Sequence, residues 1–529
     1  MGQYFFRVEA VNLYNTIFDT NDISTVRGGS FLLLKAVEQL QDLEPLSIGA
    51  SAGLFKSNLV STDEAADDLK KRIVDQLNNV AADATFVVNY IKHEDKVDTQ
   101  DIIKKLITLN RFSQFRQPTV IPPDPEEKLL EQKNDKLVEI SDETKAITQC
   151  EKDGFRPGTV RIYTPGSNEK VWISKWTNER REKGKKLRQK LFNNIYQSTV
   201  KVLPELKSTI SEAAVKDSAF TDDLESLGKA SDKGNLNGKV AVIYIDGNSF
   251  GKIRDKTCKY ANILEAFDRT LQQELRGKIF LELIATAITD TDFNYYDQKK
   301  KQSQIRLETL LWGGDEVEWV VPAWKAWDVL KMFYNVKGEF RGRKESEKYP
   351  LTHACGVVFC HHNAPIREIR KLVRLLADDA KARLKTQFGG EPPKSHTKGN
   401  VIKYLVLESF DNITESLGSF AQRYYKIPDL SPLTIYANDL DKLESAYKQI
   451  IRYFPHSKVY EIIDQLKSEA TSKTIDEIVT RGLSELDSDR KEAVKKAIES
   501  VLSGENQIKW FMVADLWDYI ANVKGGDLT

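Results

Sequence analysis

Cysteine is scarce in this chain. The four present, Cys150, Cys258, Cys355 and Cys360, include no C-x-x-C pair, which speaks against a four-cysteine zinc site and a disulfide framework. Free thiols fit a reducing compartment, so a cytoplasmic location is expected. No run of about 18 apolar residues occurs, so no membrane span is expected. The opening M-G-Q-Y-F-F-R-V lacks the basic and apolar regions of a signal peptide. Net charge is missing too, because 78 Lys+Arg balance 78 Asp+Glu. No global field draws the protein to nucleic acid or membrane, and any such contact must come from a local patch. What is left, 40% hydrophobic and 29% charged over 529 residues, is a globular chain. Its length suits roughly two to four domains.

Against that background one stretch stands out, L-L-W-G-G-D-E-V-E-W-V-V at 310–321. Gly313 and Gly314 precede Asp315 and Glu316, with apolar residues on both sides. The pattern predicts a β-hairpin with carboxylates at its tip. Upstream, V-A-V-I-Y-I-D-G-N-S-F-G-K at 240–252 reads as an apolar strand ending in Asp246. Two acidic strand ends in one unit suggest a palm-type nucleotidyl-transfer site.

The rest of the chain organises around two such units. Residues 4–10 read as a strand, 29–41 as a helix, 45–57 as a glycine-containing hairpin, 62–80 as a helix and 85–91 as a strand. The order β-α-β-β-α-β is that of a ferredoxin-like domain, assigned to residues 1–115. Residues 116–155 are rich in Pro, Glu and Lys and read as a linker followed by helix. The basic cluster at 170–191 has two readings, a nucleic-acid or phosphate contact and a solvated helix face. Residues 221–238 read as a polar loop, completing a segment of 116–235. A second palm is assigned to 236–410, with helices over 259–289 and near 324–337 and a charged loop from 338. A strand at 351–359, a helix at 365–386 with Pro365 in its first turn, and a strand at 401–407 complete it. Cys355, Cys360, His361 and His362 read as a buried strand with a polar end, a metal site being the alternative. Residues 411–529 carry helical apolar stripes and read as a C-terminal bundle. The expected class is α+β: two ferredoxin-like palms, the second resembling a nucleotidyl cyclase, plus a helical bundle.

Placed on adjacent strands, Asp246 and Asp315 would converge with the Gly247 carbonyl on Mg²⁺ or Mn²⁺, and Glu316 would bind a second metal or assist proton transfer. Gly313 and Gly314 admit a triphosphate close to the backbone. The turn after Asp246, through Gly247, Asn248, Ser249 and Phe250, offers backbone N–H groups and Lys252 to phosphates, with Asn248 or Phe250 near sugar and base. Lys381 is a further phosphate contact. The first palm has Glu9 at its strand end and no acid in its I-G-A-S-A-G hairpin, so it is expected to hold no catalytic metal.

These features resemble the large palm-bearing subunit of type III CRISPR effector complexes, or a stand-alone relative. The likeness lies in N-L-Y-N-T-I-F-D-T-N-D-I-S-T-V-R-G-G-S-F-L-L-L at 12–34, including Arg27, Gly28, Gly29 and Ser30, in Asp246, in Gly313 to Glu316, and in H-H-N-A-P-I-R-E-I-R-K-L-V-R-L-L-A-D-D-A-K at 361–381. It leaves out 116–235. The resemblance implies ATP as substrate, Mg²⁺ or Mn²⁺, 3′–5′ bond formation and a cyclic oligoadenylate product in anti-phage signalling, with Asp246 and Asp315 as metal ligands. It also brings in RNA and CRISPR effector subunits as partners; a homo-oligomer is a separate expectation. The family's N-terminal HD nuclease and four-cysteine zinc motif are absent from this sequence, and Glu316 stands where the family has a second aspartate. The departures favour a shortened signalling enzyme.

Two rivals differ in class. A diguanylate-type cyclase carries Gly-Gly-Asp-Glu-Phe, but Val317 replaces the Phe, and Arg306 is followed by Leu, Glu and Thr rather than by R-x-x-D. A non-catalytic RNA-binding scaffold would have no need of the intact acids.

Overall fold

The computed structural model describes residues 3–520 apart from 41, 94–97, 118–127, 134–135, 141–147, 164–169, 299, 344–346, 410–415, 469–471 and 503–506. Its first unit is built as the apolar pattern demands. Strand β1 (Gln3–Val11) is followed by helix α1 (Ile23–Glu38), strands β2 (Glu44–Ile48) and β3 (Ala52–Ser57), helix α2 (Asp63–Val80) and strand β4 (Thr85–His93). The sheet order is β2-β3-β1-β4, with β1 antiparallel to both neighbours. That is the split βαβ arrangement of a ferredoxin-like sheet. Side-chain caps start both helices: Asp22 accepts from the Thr25 N–H and Thr62 from the Ala65 N–H. Ala66, Leu69, Ile73 and Leu77 form the buried stripe of α2. Helix α3 (Thr99–Gln114) closes this part.

The linker reading of 116–155 needs correction. Its described residues hold no helix. Instead β5 (Leu130–Lys133) and β6 (Lys136–Glu139) join β7 (Val160–Tyr163) and β8 (Lys170–Ile173) in a four-stranded sheet, ordered β6-β5-β7-β8. Residues 118–127 and 141–147 of that reading lie outside the described residues.

Part of the basic cluster is core rather than a solvated helix face. The cluster spans β8 and the start of a 28-residue helix, α4 (Lys175–Val202), that packs along α1. The crossing is tight: a Cβ on Gly28 would stand 1.8 Å from the Arg180 carbonyl oxygen, and one on Gly184 would stand 2.6 Å from the Gly28 Cα. Arg180 is fully buried and donates to Asp19 at 2.8 Å and to the Thr16 carbonyl at 3.0 Å. Arg27 of α1 pairs with buried Glu308, which also faces Arg188 at 3.5 Å. Lys183 and Lys190 remain on the exposed side.

The second unit repeats the first on a larger scale. Strand β9 (Lys239–Gly247) leads into α5 (Phe250–Thr257), α6 (Ala261–Arg269), a π-helical segment (Thr270–Gly277) and α7 (Lys278–Thr289). After a hairpin of β10 (Asn294–Asp297) and β11 (Gln302–Ile305) come β12 (Glu308–Gly313), β13 (Glu316–Pro322) and α8 (Ala326–Asn335). The charged loop from 338 is in fact a second hairpin, β14 (Gly338–Arg341) with β15 (Lys348–Leu351). Then follow β16 (His353–His361), α9 (Ile366–Gln387), β17 (Val401–Val406) and β18 (Ile435–Tyr436). Pro365 is the N-cap of α9 rather than part of its first turn. The sheet runs β12-β13-β9-β16-β17-β18, so the order of the first sheet recurs in its first four strands. Within the polar loop at 221–238 lie two short helices, Leu224–Gly228 and Ser231–Leu236.

Beyond β17 the described chain is mainly helical, with Leu440–Tyr453 packed on Ser488–Leu502 and His456–Lys467 on Ser472–Gly482 and Trp510–Asp515. No described helix is long and apolar enough to cross a membrane.

Candidate active site

The acidic hairpin forms where it was expected. Gly313 pairs with Glu316 across a two-residue turn of Gly314 and Asp315, and Gly314 takes φ +54, a left-handed value that glycine adopts without strain. Strand β13 pairs with β9 so that Glu316 stands directly opposite Asp246. Directly opposed residues point to the same face, so their carboxylates are neighbours. The Gly247 N–H donates to the Asp315 carbonyl at 3.2 Å, tying the end of β9 to the turn.

Concentrated negative charge shows in the acid strengths. Burial first, and then the nearby charges of Asp315 and Glu316, raise the Asp246 carboxyl to about 7 against the pull of Lys381. Glu316 is also raised, by burial first, with Arg374 opposing. The Lys381 ammonium pairs with Asp246, and the Tyr244 hydroxyl lies 3.5 Å from the same carboxylate. Behind the pair, buried Glu318 takes two contacts from Arg370 and one from Arg374 at 3.2 Å. Burial opposes its charge, but those arginines outweigh it and hold the carboxyl below the usual range.

Arg276, from the π-helical segment, holds the hairpin from behind. It donates to the Gly314 carbonyl and, at 2.9 Å, to the Glu316 carbonyl, with its guanidinium 4.4 Å from the centre of the Trp312 ring. Gln272, one turn earlier, donates to the carbonyls of Gly314 at 3.2 Å and Ile48 at 3.4 Å. A π-turn of this kind often marks a functional position. Nothing in the sequence pattern announced Arg276, because it sits inside a helical run with no motif around it.

The turn after Asp246 is more inward-facing than its sequence suggests. Ser249 adopts φ +59 and caps α5 by position alone. The Asn248 amide is committed to the core, donating to the Gly399 carbonyl at 2.7 Å. Phe250 is 2% exposed and packs edge-on to His353 and Phe267, so it reaches the site only as part of a cavity wall. Lys252 donates to the Gly390 carbonyl, at the surface.

That cavity, of about 160 Å³, lies between the two sheets and opens beside Gly314 and Asp315. Arg7 of β1, Arg254 of α5, Phe267 and Asp268 of α6 line it with Gly49 and Gly53. Asp268 accepts from the Ser47 hydroxyl at 3.1 Å, and burial lifts its carboxyl to about 6. Sequence reading missed Arg254 and Asp268, which carry no local signature. The first unit thus contributes a wall without an acid at its own hairpin; Glu9 is engaged by Arg7 at 3.4 Å and Arg111 at 3.3 Å.

Among the described residues no three His, Cys, Asp or Glu side chains are grouped as a ready metal cage. The Cys355–His362 stretch therefore forms none: Cys355 and Cys360 are buried, and His361 stacks on His362. At the hairpin, the facing carboxylates of Asp246 and Glu316 with a backbone carbonyl are a hard oxygen set of the kind that suits Mg²⁺ or Mn²⁺. The raised Asp246 carboxyl and its ammonium partner show a site with more negative charge than it can settle alone. These residues fit a divalent cation.

No family model matches this chain and no curated protein is similar to it. Solved structures are. A crystal structure of Csm1 from T. onnurineus aligns with 10% identity and a TM-score of 0.49 over 96% of this chain and 69% of that one. A crystal structure of the Csm1–Csm4 cassette in complex with cA4 aligns with 11% identity and a TM-score of 0.48, over 98% and 70%. A type III-B Cmr-beta structure in its apo state aligns with 9% identity and a TM-score of 0.45, over 98% and 82%.

Proposed function

We propose that the second unit is a metal-dependent nucleotidyl transferase that joins nucleoside triphosphates, ATP first among them, into a cyclic oligonucleotide signal. The observation that carries this reading is the placing of Asp246 directly opposite Glu316 at the end of two paired strands, both carboxyls raised by burial and by the nearby Asp315 charge, beside a cavity walled by the other sheet. An acidic tip of this kind is costly unless a cation uses it.

Asp246, Asp315 and the Gly247 carbonyl would hold the divalent ion, with Glu316 beside them. The ion supplies charge neutralisation at the phosphates and acidifies a 3′-hydroxyl. In the reaction an O3′–Pα bond forms, the bond from Pα to the bridging oxygen of the β-phosphate breaks, and pyrophosphate leaves. The hydroxyl proton needs an acceptor, and the reading assigns that role to the Glu316 carboxylate, whose pKa burial raises. With a cation held by Asp246, Lys381, which now pairs with that carboxylate, would be available to phosphate. Arg254 and Arg7 give the cavity two cations, and Arg276 keeps the turn in place. In the context of the sequence resemblance, such a product belongs to CRISPR-type anti-phage signalling.

The test is incubation with each labelled NTP and Mg²⁺ or Mn²⁺, with and without RNA, beside Asp315→Ala, and mass spectrometry of the products. A cyclic product that disappears in the variant establishes the activity and identifies its base. Absence of product under every condition favours the scaffold reading.

A further inference from the structure

The cavity beside the acidic turn carries two opposite charges that do not meet. Asp268 and Arg254 both line it, and the guanidinium steadies the carboxylate from a distance, yet the two make no ion pair. Arg254 is partly buried and has neither a hydrogen bond nor an ion pair among the described residues. Arg7, in the same wall, is by contrast engaged by Glu9. Opposite charges on the walls of one poorly hydrated space attract strongly. A pair held apart there marks room for a molecule that answers both.

Pinning β2 does not use up Asp268. Its carboxylate accepts from the Ser47 hydroxyl at 3.1 Å and from the Ile48 N–H. A carboxylate has about four acceptor sites, so about two stay open on an acid whose charge burial disfavours. Leu264, Phe267 and Leu271 add apolar wall. The volume of about 160 Å³ has room for roughly ten waters, the bulk of one purine. Guanine sets N1–H and N2–H side by side, where one carboxylate takes both, and its O6 and N7 acceptors suit the fork of an arginine. Adenine has an acceptor at N1 and an amino group in place of O6. Against adenine, the carboxylate would face a lone pair and the guanidinium a donor.

Building on the nucleotidyl-transfer reading, we propose that Asp268 and Arg254 make this cavity a guanine pocket, so that one of the two nucleotides joined at the acidic turn is a guanine nucleotide. Asp268 accepts from N1–H and N2–H, and Arg254 donates to O6 and N7. These two residues do not read the other nucleotide, and ATP can fill that place.

Competitive binding to the full chain in Mg²⁺ tests this. Labelled 3′-deoxyguanosine triphosphate, which cannot be extended, is displaced by the 3′-deoxyadenosine or 3′-deoxyinosine triphosphate, the last lacking the N2 amino group. The guanine nucleotide should bind about thirtyfold tighter than the adenine one, and loss of the N2 amino group should cost about tenfold. Asp268→Asn keeps an acceptor for Ser47 and should bring guanine and adenine within about threefold of each other. Arg254→Gln, at a partly exposed position, should weaken guanine binding about tenfold and leave adenine binding within about twofold. The ratio of affinities is the readout, because a purely structural role of Asp268 would weaken both nucleotides alike. Equal binding of the two by wild type, binding of neither, or a ratio unchanged in Asp268→Asn overturns the proposal. The assay needs no turnover, so a guanine preference with no product from any NTP or mixture of them would overturn the transferase reading alone. A product made from ATP, with no guanine preference in binding, would overturn the pocket alone.

Discussion

Gly313 of the acidic hairpin packs directly on Ala50 of the β2–β3 hairpin: a Cβ at 313 would stand 2.2 Å from both the backbone N and the Cα of Ala50. Two hairpin tips, one from each sheet, are therefore in backbone contact, and the acidic turn is braced by the unit that has no acids at its own.

Gly313→Ala should push these tips apart. We expect hydrogen exchange to quicken at 48–52 and 313–316 and turnover to fall at least tenfold, while the core of the second sheet keeps its protection. Unchanged exchange at 48–52 would show that the contact does not brace the turn.

Arg276→Ala removes two donors to the carbonyls of Gly314 and Glu316 and leaves both acceptors partly buried. The expected cost is about 2–4 kcal/mol of stability in urea unfolding, with loss of turnover. Arg276→Lys should not restore it, because one ammonium does not span two carbonyls as a planar fork does.

Asp246→Asn separates function from stability. It removes the acid whose charge is disfavoured by burial and by Asp315. In metal-free buffer at pH 8 the variant should melt no lower than wild type, and the rise in Tm that Mn²⁺ gives wild type should vanish. A variant that still gains Tm from Mn²⁺ places the cation elsewhere.

Gly28→Ala would put a Cβ 1.8 Å from the Arg180 carbonyl oxygen at the α1–α4 crossing, where only backbone can give way. A loss of about 3 kcal/mol or more is expected, read as a lower urea midpoint.

In the C-terminal region Asp515 is buried, accepts from the Tyr425 hydroxyl at 2.7 Å, and has its carboxyl lifted to about 7 by burial. Its folded pKa exceeds the unfolded value near 3.9, so the folded state keeps a proton that the unfolded state has lost. The resulting penalty is absent below about pH 4, grows up to about 7, and is complete above it; it is at most about 4 kcal/mol. Asp515→Asn should flatten the pH dependence of stability in that window, as measured by urea midpoints at pH 4, 6 and 8.

Much of this arrangement was legible in the chain. Period-two and period-3.6 apolar patterns placed β1 to β4, α2, β9, β16 and α9 within a few residues, because those elements bury one face and the pattern is that face. Asp246 and the Gly-Gly-Asp-Glu turn were legible because strand ends and tight turns carry local signatures. Short, polar or weakly apolar strands were not: β5, β6 and β14–β15 read as linker or loop and β8 as part of the basic cluster, since their partners are needed to make them strands at all. Asn248 and Phe250 read as ligand contacts, but a turn's side chains choose between core and solvent only once Gly399, His353 and Phe267 are in place.

The sequence by itself determined the repeated β-α-β-β-α-β order and which unit carries acids, because periodicity and residue identity are local properties. Tertiary structure alone decided that Glu316 faces Asp246, that Lys381 holds that acid, that Arg276 clamps the turn, and that the acid-free unit walls the cavity. Register, burial and the approach of one backbone to another arise between segments far apart in sequence, and the charge coupling that gives the site its chemistry exists only once they meet.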